Sequence, residues 1–355
     1  MTERVETYDA WLKDNGPAAL VIREHLMPVE GHDGVLFPAT FASGEGFPGG
    51  YNIDEFPDGT NVCLVDSVGS QANRIEPLFA KQEYAGLVPQ VLIIAGQKTV
   101  NLLDAGHRAG DAIARCSELQ KELQDAFKAV LGGNAEPLAK IGPTSLVFGA
   151  WDSRDTQAKL PRLIASTIRA FNVRKLTRSA QFVPAMDYVA SDMLEEPSDK
   201  KTKDAYAERG FIHVPSTGTP GGVIATGGVR RDATLHLAAL RLLSAARDSS
   251  STLKLRRYVL GLALTAFTYP SAGYLRQGCN LVLDPDKPRE FVEVHGDGRR
   301  VASSVTHGAA VDYARAVAKD FGEGSNREVK FMEELAKADV SGDTKLKKSR
   351  GKKAE

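Results

Sequence analysis

The chain has 355 residues, 42% hydrophobic and 25% charged, with a net charge of zero. This describes a globular protein with a real core, long enough for two domains or one decorated domain. No run approaches eighteen apolar residues, and the start MTERVETYDAWLKDNG has no signal-peptide apolar stretch, so neither a membrane span nor export is expected and the cytoplasm is the expected compartment.

The zero total is unevenly distributed. Met1 to Thr60 holds eleven acidic and three basic side chains, whereas Leu146 to Phe182 holds seven basic and two acidic ones, a ratio repeated from Thr226 to Leu260. Segregated signs suit an anionic partner on one face and protein partners elsewhere. Cys63, Cys116 and Cys279 lie far apart, and the seven histidines are scattered without CxxC or HExxH spacing. That pattern predicts no disulfide framework, no metal centre and no cofactor.

In chain order, an amphipathic helix is predicted from Val5 to Lys13. AALVIREHLMPVEGHDGVLFPATFA then reads as two strands around a GHDG turn. NVCLVDSVGSQANRIEPLFAK reads as strand, tight loop and short helix, ended or kinked at Pro77. PQVLIIAG and KTVNLL read as strands, and two helices follow from His107 to Leu131, closed by Gly132 and Gly133. TSLVFGAW reads as a strand, and the stretch after it, to Phe171, as an amphipathic helix. TRSAQFVPAMDYVA looks extended, while LEEPSDKKTKDAYAERG is charged without an apolar period and reads as an exposed excursion.

GGVIATGGVRRDATLHLAALRLLSAA reads as strand, glycine turn and helix. LKLRRYVLGLALTAFTY is a strongly apolar helix, followed by SAGYLRQGCNLVL and a REFVEVHGDGRRVASSV hairpin. Helices are predicted at His307–Phe321 and Asn326–Ala338, before an unstructured basic tail, KLKKSRGKKAE. Alternating elements with many insertions predict an α+β fold, a mixed sheet with helices on one face.

Four stretches carry candidate chemistry. In WDSRDTQAKLPRLIASTIRAF, helical spacing sets Leu160, Leu163, Ile164, Thr167, Ile168 and Phe171 on one side. It sets Lys159, Arg162, Ser166 and Arg169 almost opposite. That basic stripe would span about 15 Å, enough for two or three phosphates of an extended strand. In DSVGSQANR, Ser70, Gln71, Asn73 and Arg74 sit in a loop entering a helix, where free amides and polar side chains bond to phosphate and sugar; capping by Ser67 or Ser70 is compatible. In GGVRRDATL, Arg230 and Arg231 follow two glycines, and Asp232 or Thr234 is placed to cap the next helix. In GYLRQG, Arg276 and Gln277 lie beside Tyr274, a ring on which a base can stack.

There is no Walker loop, no GxSxG elbow and no Cys/His nucleophile pattern, and the Gly218–Gly228 loop lacks a dinucleotide-binding context. Asp66, Asp152 and Asp155 are the aspartates available for phosphoryl chemistry, but each is more economically a turn or cap residue.

The strings LVDSVGSQANRIEP, GAWDSRDTQAKLPRLIASTIRAF, GGVRRDATLHLAALR and YPSAGYLRQGCNL, in this order from Leu64 to Leu281, resemble the backbone subunit of type I-G (formerly I-U) CRISPR surveillance complexes, in the repeat-associated mysterious protein superfamily. The resemblance implies a palm of RNA-recognition-motif (ferredoxin-like) topology over residues 1–340, elaborated by insertions, with a basic tail at 341–355. It implies copies polymerised head to tail along CRISPR guide RNA, which pairs with a target DNA strand. Further implied partners are the other subunits of the complex, a large subunit and a repeat-processing or capping subunit. The implied RNA grip maps to Arg154, Lys159, Arg162 and Arg169, with Ser70, Gln71, Asn73 and Arg74 beside them. A projecting element is assigned to the Val183–Gly222 excursion. The expected role is therefore a non-catalytic RNA-binding subunit that reads backbone and shape. One alternative is a guide-dependent ribonuclease using Asp152 or Asp155, as in type III relatives; another is a nucleotide-binding enzyme using the Gly218–Gly228 loop.

Overall fold

The computed structural model describes residues 5–246, 248–270 and 273–341; the tail from residue 342 onward lies outside them. A nine-stranded sheet organises the chain. Its path runs β12 (Tyr274–Arg276), β13 (Cys279–Leu283), β1 (Ala19–Pro28), β11 (Val229–His236), β8 (Ile164–Phe171), β5 (Asn61–Asp66) and β4 (Ile53–Glu55). On the free edge of β1, β13 pairs with Leu26–Pro28, while β14 (Glu290–Val294) pairs with Ala19–Arg23 and carries β15 (Arg300–Ala302) outside it. Every pairing in this sheet is antiparallel. The fold is thus mixed α+β around an antiparallel sheet.

Three small sheets flank it: β2 (Thr40–Phe41) with β3 (Gly50–Tyr51), β9 (Val173–Phe182) with β10 (Val214–Ala225), and β6 (Val91–Ala95) between β7 (Lys98–Asn101) and β16 (Arg327–Lys330). The β9–β10 ribbon prolongs the β8–β11 hairpin past a kink. Asn172 there adopts φ 50°, and Asn61 of β5 bonds through its side chain to both the amide and the carbonyl of Val173.

Successive strand residues point to opposite faces. One face of β1 buries Leu20, Ile22, Glu24, Leu26 and Pro28. Three helices matter most for what lies on the sheet. Helix α1 (Val68–Ile75) follows β5 and lies against β8. Helix α2 (Ser249–Thr268) covers the first half of the buried β1 face, capped by Asp248, whose side chain accepts from the Ser251 amide. It packs on α3 (His307–Phe321) where Gly261 meets Ala314; a Cβ at 261 would lie 2.9 Å from the Ala314 Cα. Only glycine allows that approach. Leu20, Ile22, Ile164, Ala233 and Leu235 join the α2 cluster, while Leu26, Cys63, Val65, Ile168, Ala170, Val229 and Leu281 form a second one. Glu24, Ser166 and Arg231 occupy the seam between the two clusters, all buried.

Several sequence expectations are corrected. The stretch leading to Phe171 is not a helix: residues 164–171 form β8, between β5 and β11. The apolar spacing Ile164/Ile168 satisfies both periods, but Ile164, Thr167 and Ile168 are β-branched and favour the pleated state. TSLVF, read as a strand, is the short helix Thr144–Phe148, with all five residues buried; periodicity cannot separate a fully buried helix turn from a strand. VRRDATLH is β11 rather than a helix entry, so Asp232 and Thr234 cap nothing and Asp232 instead accepts from Arg23 and Arg230. The first part of the expected Asn326–Ala338 helix is β16, which pairs parallel with β6. The excursion contains a helix, Lys200–Glu208, that buries no residue.

Candidate nucleic-acid interface

Strand β5 ends on Asp66, and α1 begins two residues later, with Ser67 accepting from the Ser70 amide. Asp66 is fully buried yet remains a hydrogen-bond centre. It accepts from Ser70 Oγ at 2.8 Å, Gln71 Nε2 at 2.6 Å, Arg74 Nε at 3.2 Å and Arg276 Nη2 at 2.8 Å. Arg276 also donates Nη1 to the Val65 carbonyl. Four residues singled out from sequence thus converge on one carboxylate. Asp66, Ser70 and Arg74 recur every fourth residue, the spacing of one helix face; that signal was present in the sequence.

The network continues inward. Gln71, itself buried, accepts from Ser166 Oγ at 3.0 Å, and Ser166 accepts from Arg231 Nε at 3.1 Å. Arg231 reaches Glu24 at 2.6 Å, and Glu24 also meets Arg289 at 2.8 Å. Burial holds the Arg231 guanidinium below the usual arginine range, countered by Glu24. A chain of polar groups therefore crosses the sheet in the seam between the apolar clusters. Gln71, Ser166 and Arg231 belong to this interior network and do not face solvent. An arginine buried beside its own carboxylate is committed to the fold.

On the neighbouring side of α1 a groove of about 400 Å³ is lined by Gly106, His107, Arg108, Gly149, Trp151, Lys159 and Arg162, among others. Trp151 is 58% exposed, and Lys159 Nζ stands 5.8 Å from its ring centroid. The Arg162 guanidinium approaches the start of α1: a Cβ at Gly69 would lie 3.8 Å from Arg162 Nη2. Gly149 has φ 77°, and a side chain there would meet the Arg162 Cγ at 2.7 Å. Glycine therefore lets the loop pass beneath the arginine.

Below the groove, Arg108 joins its walls. It lies 2.6 Å from Glu76, donates to Asn73 Oδ1 at 3.0 Å and to the Gly149 carbonyl at 3.2 Å, and sits over the Phe148 ring. Burial pushes the Glu76 carboxyl up to about 7, against the lowering pull of Arg108. Trp151, His107, Arg108 and Glu76 were not among the candidates. An exposed tryptophan next to basic residues was the readable clue; the Glu76–Arg108 pair, far apart in the chain, left none.

Arg169 and Arg230 are register partners on the opposite, half-open face of the sheet. Arg230 pairs with Asp232 at 2.9 Å and stacks 4.7 Å from the Phe171 centroid, while Arg169 donates to Thr167. Arg169 therefore does not share a face with Arg162, as the helical reading required. Arg154 lies exposed in the loop before Lys159, and Gln277 lies exposed in the β12–β13 turn. The basic ribbon strand β9 carries exposed Arg174 and Lys175.

Asp152 is buried and accepts from the amides of Asp155 and Thr156 and from the Thr156 hydroxyl. Asp155 accepts from Gln124 and lies 3.8 Å from Arg115. Both aspartates hold the loop in shape. The fold also gathers His32, Asp284 and Asp286, with ligand atoms within 4.8 Å of one another, but Lys287 already places its ammonium 3.3 Å from Asp284.

Residues 20–175 match the family model described as CRISPR-associated protein GSU0053. The match covers β1 to the start of β9, including Asp66, α1 and the groove, somewhat less than half of the chain. No curated protein matches the chain. Among the described residues no helix is long and apolar enough to cross a membrane.

Proposed function

We propose that the protein is a non-catalytic RNA-binding subunit that assembles along a CRISPR guide RNA and presents it to a target DNA strand, as the backbone subunit of a type I-G complex. The observation that carries this reading is the groove that holds exposed Trp151, with Lys159 beside its ring and Arg162 at the start of α1. An open ring with adjacent cations suits a single strand, since a base can stack while phosphates meet the cations. The match to a CRISPR-associated family supplies the context. Support for an RNA-recognition-motif-like palm comes from the strand order β14-β1-β11-β8, with α2 between β11 and β14 in the chain. That is the order of a βαββαβ unit, into whose central hairpin the β9–β10 ribbon is inserted. In this reading the other copies and the remaining subunits of the complex are its protein partners.

The ribonuclease alternative gains nothing from the loop, because the carboxylate oxygens of Asp152 are engaged by Asp155 and Thr156. The test is an anisotropy titration of a single-stranded RNA across salt concentrations, with and without magnesium. Affinity is expected to fall with salt at about −0.7 per phosphate neutralised on a log–log plot, with the RNA left intact. Lys159→Glu with Arg162→Glu is expected to weaken binding at least tenfold while the melting transition stays cooperative. A flat salt response, or RNA cleavage lost in Asp152→Ala, would refute the proposal.

A further inference from the structure

We infer that Asp66 is a positioning residue that holds Arg74 and Arg276 together as a clamp for one phosphodiester group. This rests on the RNA-binding reading above and adds a specific phosphate site outside the groove.

The carboxylate itself is shielded from solvent, its side chain 0% exposed, while Arg74 and Arg276 remain 37% and 25% exposed. Arg74 reaches Asp66 through Nε, which leaves its two terminal amino groups for another acceptor. Arg276 is fixed twice, by Asp66 and by the Val65 carbonyl. Two guanidinium groups thus share one carboxylate, and the other groups on it, Ser70 and Gln71, are neutral. The nearby Cys279 thiol, pushed up to about 11 by burial, adds no negative charge.

Gathering two like charges around one buried anion leaves a local excess of one positive charge on two part-exposed guanidinium groups. A second anion there would offset the repulsion, and a phosphate oxygen pair fits the planar fork of arginine. The arginines are already held, so less side-chain entropy is lost on binding than with free surface cations. Arg74 springs from α1 and Arg276 from the β12–β13 hairpin, so the clamp joins two elements far apart in sequence.

Charge alone and clamp geometry predict effects of opposite sign. If Asp66 were only a negative charge near RNA, Asp66→Asn would tighten binding by removing repulsion. As the organiser of the clamp, Asp66→Asn is expected to weaken binding about tenfold. It should also make the salt slope shallower by about 0.7, the share of a single phosphate. The measurement uses the full chain and an RNA single strand of about 30 nucleotides, several binding footprints long, with thermal melts as the fold control. Arg74→Lys with Arg276→Lys keeps both charges but removes the fork, and is expected to lose about tenfold as well. This second variant keeps the test decisive if Asp66→Asn does not fold. Unchanged or tighter binding by a folded Asp66→Asn protein, or wild-type affinity in the double lysine variant, would overturn the clamp while leaving RNA binding intact. A wild-type chain that binds no RNA would overturn the functional reading beneath it.

Discussion

Glu76 has an environment that moves its acid–base chemistry into the neutral range. It is 1% exposed, Arg108 is its counter-charge, and burial raises its carboxyl from 4.5 to about 7. Because its folded value exceeds its unfolded value, its contribution to stability is full below about pH 4.5. That contribution is lost as pH rises through about 7, where the folded state must hold a buried anion. The linked change is at most about 3 kcal/mol. Urea titrations at pH 5, 6, 7 and 8 should therefore show wild-type stability falling relative to Glu76→Gln over this window. A constant difference would mean that Glu76 stays ionised throughout. None of this was legible in the sequence, where Glu76 precedes Pro77 as an ordinary helix-end acid. Arg231 illustrates the converse: its doublet with Arg230 suggested two equivalent phosphate ligands, yet strand alternation turns one to solvent and the other into the seam beside Glu24.

At the scale of elements, the polar hub survived an error about secondary structure. DSVGSQANR and GYLRQG stand out in the sequence as dense in donors, and the fold brings Ser70, Gln71, Arg74 and Arg276 together on Asp66. Their common acceptor required knowing that β5 ends beside the β12–β13 hairpin. The basic stripe fared differently. Its four members were placed on one side by a 3.6-residue period, but β8 has a period of two, so Ser166 is buried while Arg169 emerges on the other face. Lys159 and Arg162 precede the strand and still lie together, lining one groove. The excursion was readable as exposed because its charges have no apolar period, and its helix indeed buries nothing. Phe182 and Val214 are direct strand partners at the end of the β9–β10 ribbon. Replacing residues 183–213 with Asn-Gly should close that ribbon with a two-residue hairpin turn. Global stability should change by no more than about 0.5 kcal/mol, since no core residue is removed. A loss of the cooperative transition would show that the excursion supports the fold.

For the whole molecule, the two ends of the main sheet differ, which matters for an assembly that advances along a strand. A repeated head-to-tail contact needs two distinct surfaces on each copy, whereas a two-fold contact uses one surface twice and closes. One end is β4, with exposed Asp54 and Glu55 and, just beyond, Asp58. The other, outside β14, is β15, with exposed Arg300 and, before it, Arg299. The acidic N-terminal region is not one patch, because Glu24 lies in the seam, Asp9 pairs with Arg257, and exposed Asp14, Glu30, Asp33 and Glu45 lie outside β4; Asp54, Glu55 and Asp58 are its outward acids at the β4 end. Arg300 is already held by Glu290, and Arg299 lies beside Asp297. The two edges therefore differ chiefly in the acids of β4, which have no ion pair among the described residues, and unlike edges are suited to meeting each other rather than their own kind. On the proposed function, RNAs of increasing length should therefore give complexes whose mass rises in steps of one subunit. Asp54→Lys with Glu55→Lys should abolish the steps while one subunit still binds a short RNA with wild-type salt dependence. Native mass measurement distinguishes the outcomes: a constant two-subunit mass at every RNA length would contradict the filament, and stepwise growth that persists in the charge-reversed protein would move the interface away from β4.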